Sequence, residues 1–149
     1  MFAATATQVS GQTSAHLNEQ IRQETQERIA EFERDDRNAL ITRRLTELEH
    51  EWDVERTLQT NFATLSLVGL ALVLKSDKRW LLLAAGVPAF MVQHALQGWC
   101  PPLPILRRLG VRTAREIADE RFALKSLRGD FDEVERSKDP DVIVRAVRA

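Results

Sequence analysis

The chain has 149 residues, 29% of them charged and 44% hydrophobic, with a net charge of -1 at pH 7. That is room for one domain, or for a membrane hairpin with flanking helices, and too little for a two-lobed enzyme. No concentrated basic face exists, so nucleic acid has no electrostatic footprint here. The single cysteine, Cys100, excludes an internal disulfide and a Cys-rich zinc site, and His16, His50 and His94 are too scattered for a metal motif, so no metal or other cofactor is expected.

The charge is segregated. Residues 1–57 hold 12 acidic and 7 basic side chains, residues 58–100 only Lys75, Asp77, Lys78 and Arg79, and the remainder 11 basic and 9 acidic. Polar arms therefore flank an apolar centre.

Residues 1–15, small and polar with no basic start and no long apolar run, read as a flexible tail rather than a secretory signal. From Gln12 to Val68 there is neither Gly nor Pro, and local propensity favours helix. Pairs such as Glu24/Arg28 and Glu33/Arg37 add i,i+4 support. Residues 16–57 form one cytoplasmic amphipathic helix or a pair. Leu17, Ile21, Ile29, Phe32 and Leu40 share one face, whereas Ile41, Leu45, Leu48 and Trp52 lie nearly opposite. A break between Arg34 and Asn38, with Asp36 or Asn38 capping the second helix, accounts for this, and two segments are the favoured reading over one long helix. The stripes either bind neighbouring subunits or are the ordinary faces of a small bundle.

Residues 58–74 and 80–100 carry no charge. At 1.5 Å per residue they reach about 25 and 31 Å, against a hydrocarbon core of roughly 30 Å. The intervening "KSDKR" is short enough to force an antiparallel hairpin. Trp80 and Trp99 suit interfacial anchoring. Lys75, Lys78 and Arg79 in the linker are outnumbered by Arg43, Arg44, Arg56, Arg107, Arg108, Arg112 and Arg115 on the outer flanks, which puts both termini in the cytoplasm. Ala63, Ser66, Gly69 and Ala71 on one helix and Ala84, Ala85, Gly86 and Ala89 on the other allow close packing, and Pro88 is expected to kink the second.

The prolines at 101, 102 and 104 forbid a continuous helix, so residues 101–112 should turn along the membrane surface. There Leu103, Ile105, Leu106 and Leu109 would dip inward while Arg107 and Arg108 meet anionic headgroups. Thr113 with Glu116 is a capping box that opens a helix ending at Gly129. Asp139 and Pro140 repeat the logic as cap and first helical residue, and residues 113–149 are thus cytoplasmic helices.

On the second span Gln93, Gln97 and Cys100 fall on one helical face with His94 beside it. Intramembrane His94 is a functional candidate by its expense. Neither uncharged run contains a carboxylate to orient it, so the expectation is interhelical or interfacial hydrogen bonding by Gln93, His94 and Gln97 rather than a proton relay. Cys100 is either a small buried residue closing the helix end or a thiol carrying a persulfide or redox equivalent.

The stretch "DVERTLQTNFATLSLVGLALVL", the basic linker, the second apolar helix and "GWCPPLPILRRLGVRT" resemble the YgaP-like inner-membrane domain family over residues 53–113, with Gly98, Cys100, Pro101, Gly110 and Thr113 carrying most of the match. The resemblance implies a two-helix bacterial inner-membrane hairpin with cytoplasmic termini that self-associates. In some relatives a rhodanese domain precedes the hairpin. Residues 1–57 contain no Cys and no alternating strand pattern, so sulfurtransferase activity is not carried over.

The sequence therefore reads as an all-α protein, a two-span transmembrane hairpin (58–112) flanked by amphipathic cytoplasmic helices, in the bacterial inner membrane. The expected role is non-catalytic. The chain would contact membrane lipids and either form a homo-oligomer or serve as an accessory or scaffold subunit among other membrane-complex subunits, with no identifiable small-molecule substrate. A thiol relay through Cys100 with a separate sulfurtransferase-type partner is the alternative, and a soluble helical bundle is a third.

Overall fold

The computed structural model describes residues 5–32, 37–132, 134 and 139–148. Among them every regular element is helical. In chain order these are α1 (Thr5–Gln12), α2 (Ala15–Glu31), α3 (Arg37–His50), α4 (Val54–Lys75), a 3₁₀ turn (Lys78–Trp80), α5 (Leu81–Gln97), α6 (Leu103–Arg108), α7 (Ala114–Arg128) and α8 (Pro140–Arg148). The chain divides into two compact units, Met1–Ile21 with Trp52–Arg115, and Arg22–Glu51 with Glu116–Ala149.

The first unit is built on the α4–α5 hairpin. Asp53 caps α4 by accepting from the Arg56 N–H at 2.7 Å, and the Val54 N–H donates to the Arg112 carbonyl at 2.9 Å, so two donors that a helix start leaves open are satisfied. This cap lies upstream of the uncharged run. Consequently α4 extends over 22 residues, about 33 Å, and is longer than its uncharged segment predicts. The second helix departs the other way: Gly98, at φ 68°, turns left-handed and donates to the His94 carbonyl at 2.7 Å, ending α5 after 17 residues. With the 3₁₀ turn, Lys78–Gln97 spans 20 residues, about 30 Å. By length and composition both helices of the hairpin can cross a membrane.

The predicted close approach is present. A Cβ on Gly69 would stand 2.9 Å from the Ala84 backbone nitrogen, a distance that real side chains do not tolerate. Within α4 the hydroxyls turn back onto their own helix, Ser66 to the Phe62 carbonyl and Thr64 to the Thr60 carbonyl, each at 2.8 Å. Pro88 lies inside α5 without interrupting it.

At the open end of the hairpin, Val54, Leu58 and Phe62 of α4 pack with Cys100, Leu103 of α6 and Val9 of α1. The last of these belongs to α1, so within the stretch read as a flexible tail the part from Thr5 to Gln12 is helical, and residues 1–4 lie outside the described residues. Val9 is fully buried, the Thr13 hydroxyl closes onto the Val9 carbonyl at 2.8 Å, and Gln8 lies so close to Gly98 that any Cβ there would collide with it. One apolar residue in a small polar stretch gave no periodic signal, yet it fills the end of the hairpin.

Residues 101–112 are not a continuous helix, as expected, and of the residues expected to meet the membrane Leu103 and Arg107 are instead covered by the chain. Ile105 and Leu109 are exposed, whereas Leu103 and Arg107, four apart, point inward. Arg107 is therefore covered by the chain rather than lying open at a surface; Arg108 remains exposed.

The second unit has its own core, in which Ile41, Leu45 and Leu48 of α3 pack on Ile117 and Leu124 of α7, with Ile29, Phe32 and Leu127 against them. The Phe32 N–H donates to the Ile29 carbonyl at 3.2 Å beyond the end of α2, and α3 starts at Arg37, so residues 16–50 contain two helices. Asn38 sits inside α3 rather than capping it, and Asp36 lies outside the described residues. The stripes proposed as partner surfaces find partners within the chain instead. Opposed on one continuous helix, their faces converge once the chain breaks. Ile21 is buried within the first unit. Leu40 and Trp52 stay half-exposed, Trp52 with the Arg56 guanidinium 4.6 Å above its ring. The caps at the other end follow the sequence: α7 ends at Gly129, φ 86°, and the Asp139 carboxylate accepts from the Asp141 N–H at 3.0 Å at the start of α8.

Because Leu48 is a core residue and not a docking residue, Leu48→Ala is expected to lower the unfolding free energy by about 2–5 kcal/mol, read by denaturant unfolding. A change in oligomer mass without loss of stability would contradict this assignment.

Candidate functional site

An antiparallel hairpin brings the first turn of one helix against the last turn of the other. Here that places Glu55 of α4 beside His94 of α5, with the imidazole Nε2 3.5 Å from the carboxylate Oε1. His94 has no exposed surface and Glu55 keeps about a quarter of its own. Among the described residues neither ring nitrogen has a hydrogen-bond partner, nor does Glu55 Oε1, nor Oε1 of Gln8. Buried polar atoms of this kind each cost about 1–3 kcal/mol unless something fills them.

Neither uncharged run contains a carboxylate, yet the fold brings one to His94 from outside them. The acid lies just outside the uncharged run, in the cap turn of α4, and is brought in by the hairpin geometry. A carboxylate against an imidazole fixes ring orientation and can share a proton or a water with it. The rest of the predicted polar stripe divides: Gln93 is half-buried, Gln97 is exposed, and Cys100 is fully buried beyond the end of α5. Burial pushes the Cys100 thiol up from its ordinary range, and the charge of Glu55 adds to the shift, outweighing a backbone hydrogen bond at Leu103 that acts the other way. A thiol held in this form is a poor nucleophile. Trp80 and Trp99, at the two ends of the helix, are both exposed as interfacial residues would be.

Beside this cluster Arg107 is almost wholly buried and is fixed at three points: Nε donates to Thr13 Oγ1 at 3.1 Å, Nη1 to the Val111 carbonyl at 3.0 Å and Nη2 to Asn18 Oδ1 at 3.0 Å. The guanidinium thus ties residues 13–18 to α6. No sequence signal marks it, since Thr13 and Asn18 lie some ninety residues upstream.

In the second unit the equivalent tie is Arg44 on Glu120, a forked contact with Nε at 2.8 Å and Nη2 at 3.3 Å from the two carboxylate oxygens. Glu120 is fully buried, and the same arginine reaches Glu47 at 3.3 Å and Glu51 at 3.5 Å. Its hydrogen bond to Glu120 holds the Arg44 guanidinium above its ordinary pKa against the opposing effect of burial. Lys125 is also buried, donates to the Val147 carbonyl at 2.7 Å, and is pushed down by desolvation. These are structural ties. Among the described residues no group of three or more His, Cys, Asp or Glu side chains is placed to hold a metal ion.

Compared with known proteins, the chain matches no family, no curated protein and no solved structure.

Two outcomes follow from the burial. Arg44→Met removes the forked partner of the buried Glu120 carboxylate and is expected to cost about 3–5 kcal/mol, read by denaturant unfolding, with Glu120 and Arg44 replaced together costing less than the single change. Cys100 is expected to react with a maleimide at least tenfold more slowly in the folded protein than in denaturant; equal rates would reopen thiol chemistry.

Proposed function

We propose that the protein is a non-catalytic, two-span membrane hairpin of a bacterial inner membrane that anchors an assembly, formed with itself or with other membrane subunits. The observation that carries this reading is the surface of the hairpin. Only 17% and 11% of the apolar windows of its two helices are buried within the chain, and Leu74 and Leu82 near the linker are 80% and 81% exposed. A core helix of a water-soluble protein is mostly covered, and monomers rarely leave a contiguous apolar patch larger than a few hundred Å². Hydrocarbon, or a neighbouring apolar helix, removes that penalty.

Three further features support it. Hydroxyls of α4 are bonded to their own helix, as a spanning segment requires. Basic residues on both outer flanks favour both termini on the cytoplasmic side. The third is the likeness of residues 53–113 to YgaP-like hairpins read from the sequence; two of the residues quoted for it, Gly98 and Gly110, adopt positive φ, 68° and 79°, where other residues are strained.

The role is mechanical: α4 and α5 anchor, the Glu55–His94 contact and Gln93 fix the register of the pair, and the uncovered outer faces of α4 and α5 meet lipid and partner helices. Since the stripes on α2 and α3 are used in the second unit's own core, assembly is assigned to the hairpin.

Native membranes washed with alkaline carbonate should retain the protein, and native mass spectrometry after gentle extraction should give multiples of 17.0 kDa or a fixed complex with other polypeptides. Release by carbonate overturns the membrane reading; a solitary 17.0 kDa species overturns the assembly.

A further inference from the structure

Beside α6 the first unit contains a cleft of about 110 Å³. At ~30 Å³ per water it has room for between three and four water-sized groups, which suits a tetrahedral oxyanion. Its wall combines the side chains of Thr13 and Ser14 with those of Arg107 and Arg108, over Leu103, and among the described residues it includes no acid.

The charge in this wall is fixed in place. Arg107 is 1% exposed and is held by Thr13, Asn18 and the Val111 carbonyl, so its guanidinium cannot swing away into water. Arg108, next along α6, is exposed and free to close over the opening. Ser14 immediately precedes the 17-residue helix α2 and accepts from the Leu17 N–H at 3.4 Å, so the partial positive charge of that helix start adds to the same wall. Two guanidinium charges, the Ser14 hydroxyl and a helix start, with no carboxylate among the lining residues, form an environment that favours an anion.

We propose that this cleft binds a phosphate group, supplied by the headgroup of an anionic membrane lipid. The inference rests on the hairpin lying in a membrane. The source is argued from α6 itself: Ile105 and Leu109, four residues apart, are exposed apolar side chains, whereas Arg107 and Arg108 line the cleft. A short helix with an apolar side open and a cationic side on a pocket, following directly on Trp99, suits the depth at which headgroup phosphates lie.

The test uses the full chain in detergent, followed by native mass spectrometry with phosphatidylglycerol and with diacylglycerol of the same acyl chains. Phosphatidylglycerol is expected to be retained and diacylglycerol not. Arg108→Ala should weaken retention about fivefold, the size of one cation near a lipid surface, while Lys78→Ala in the hairpin linker leaves it unchanged. Circular dichroism checks that Arg108→Ala remains folded. Equal retention of diacylglycerol overturns the site, and so does an equal loss in Lys78→Ala, which would mean diffuse charge. Complete displacement by micromolar inorganic phosphate overturns the lipid as its source. A protein that resists carbonate yet shows no headgroup preference fails this proposal alone, whereas release by carbonate removes the premise.

Discussion

The contact on which the first unit depends is the near-touching of α4 and α5 at Gly69 and Ala84. Missing side-chain volume there lets two backbones approach to a distance that any Cβ would forbid. Only at that separation does the first turn of α4 reach the last turn of α5, so that Glu55 meets His94. The short linker sets the direction of the helices, the Asp77 carboxylate accepting from the Arg79 N–H at 3.0 Å to turn the chain. Gly98 then releases the chain from α5 and gives α1 a surface flat enough to sit on.

Charge burial follows a common logic in both units. Arg107 and Glu120 are each almost or fully covered, and each is bonded at more than one point. A buried ion of either sign is strongly unfavourable until its hydrogen bonds are complete, so such residues specify one arrangement of the elements that supply the partners. Glu120 selects α3 for α7 through Arg44. Arg107 selects residues 13–18 for α6, and through them seats the helix that carries Val9. The pair of Glu55 and His94 is different, since its polar atoms are not all satisfied by the chain.

Much of this was legible in the sequence because it depends on local chemistry. The cap at Asp139, the start of α7 after Thr113, the stop at Gly129, the two apolar helices and the linker are set by residues within a few positions of one another. What was not legible depends on distance along the chain. The helix α1 gained its place from a single valine and a glycine ninety residues away. The stripes on α2 and α3 were visible as apolar faces, but their partner, α7, contributes Ile117 and Leu124 from far downstream, and periodicity alone does not distinguish an inner partner from an outer one. Arg107 and Arg108 are adjacent and identical in type, and only the seating of α6 makes one a structural tie and leaves the other exposed. Glu55 was passed over because its cap turn lies outside the uncharged run that defined the span.

The distribution of core residues within the first unit says where apolar surface remains. Val9, Val54, Leu58, Phe62, Cys100 and Leu103 all come from the open end of the hairpin, the end remote from Lys75–Arg79. Nothing in that core is drawn from the linker half, where Leu70, Leu74, Leu81 and Leu82 are exposed. At roughly 25 cal/mol per Å² of apolar surface, leaving a row of leucines in water forfeits several kcal/mol, comparable to the whole stability of a small domain. In the second unit the buried core joins α3 to α7 along their length, from Ile41 to Leu48 and from Ile117 to Leu124. The buried core of the first unit gathers at one end of its hairpin, and the uncovered half is the part that the proposed membrane would solvate.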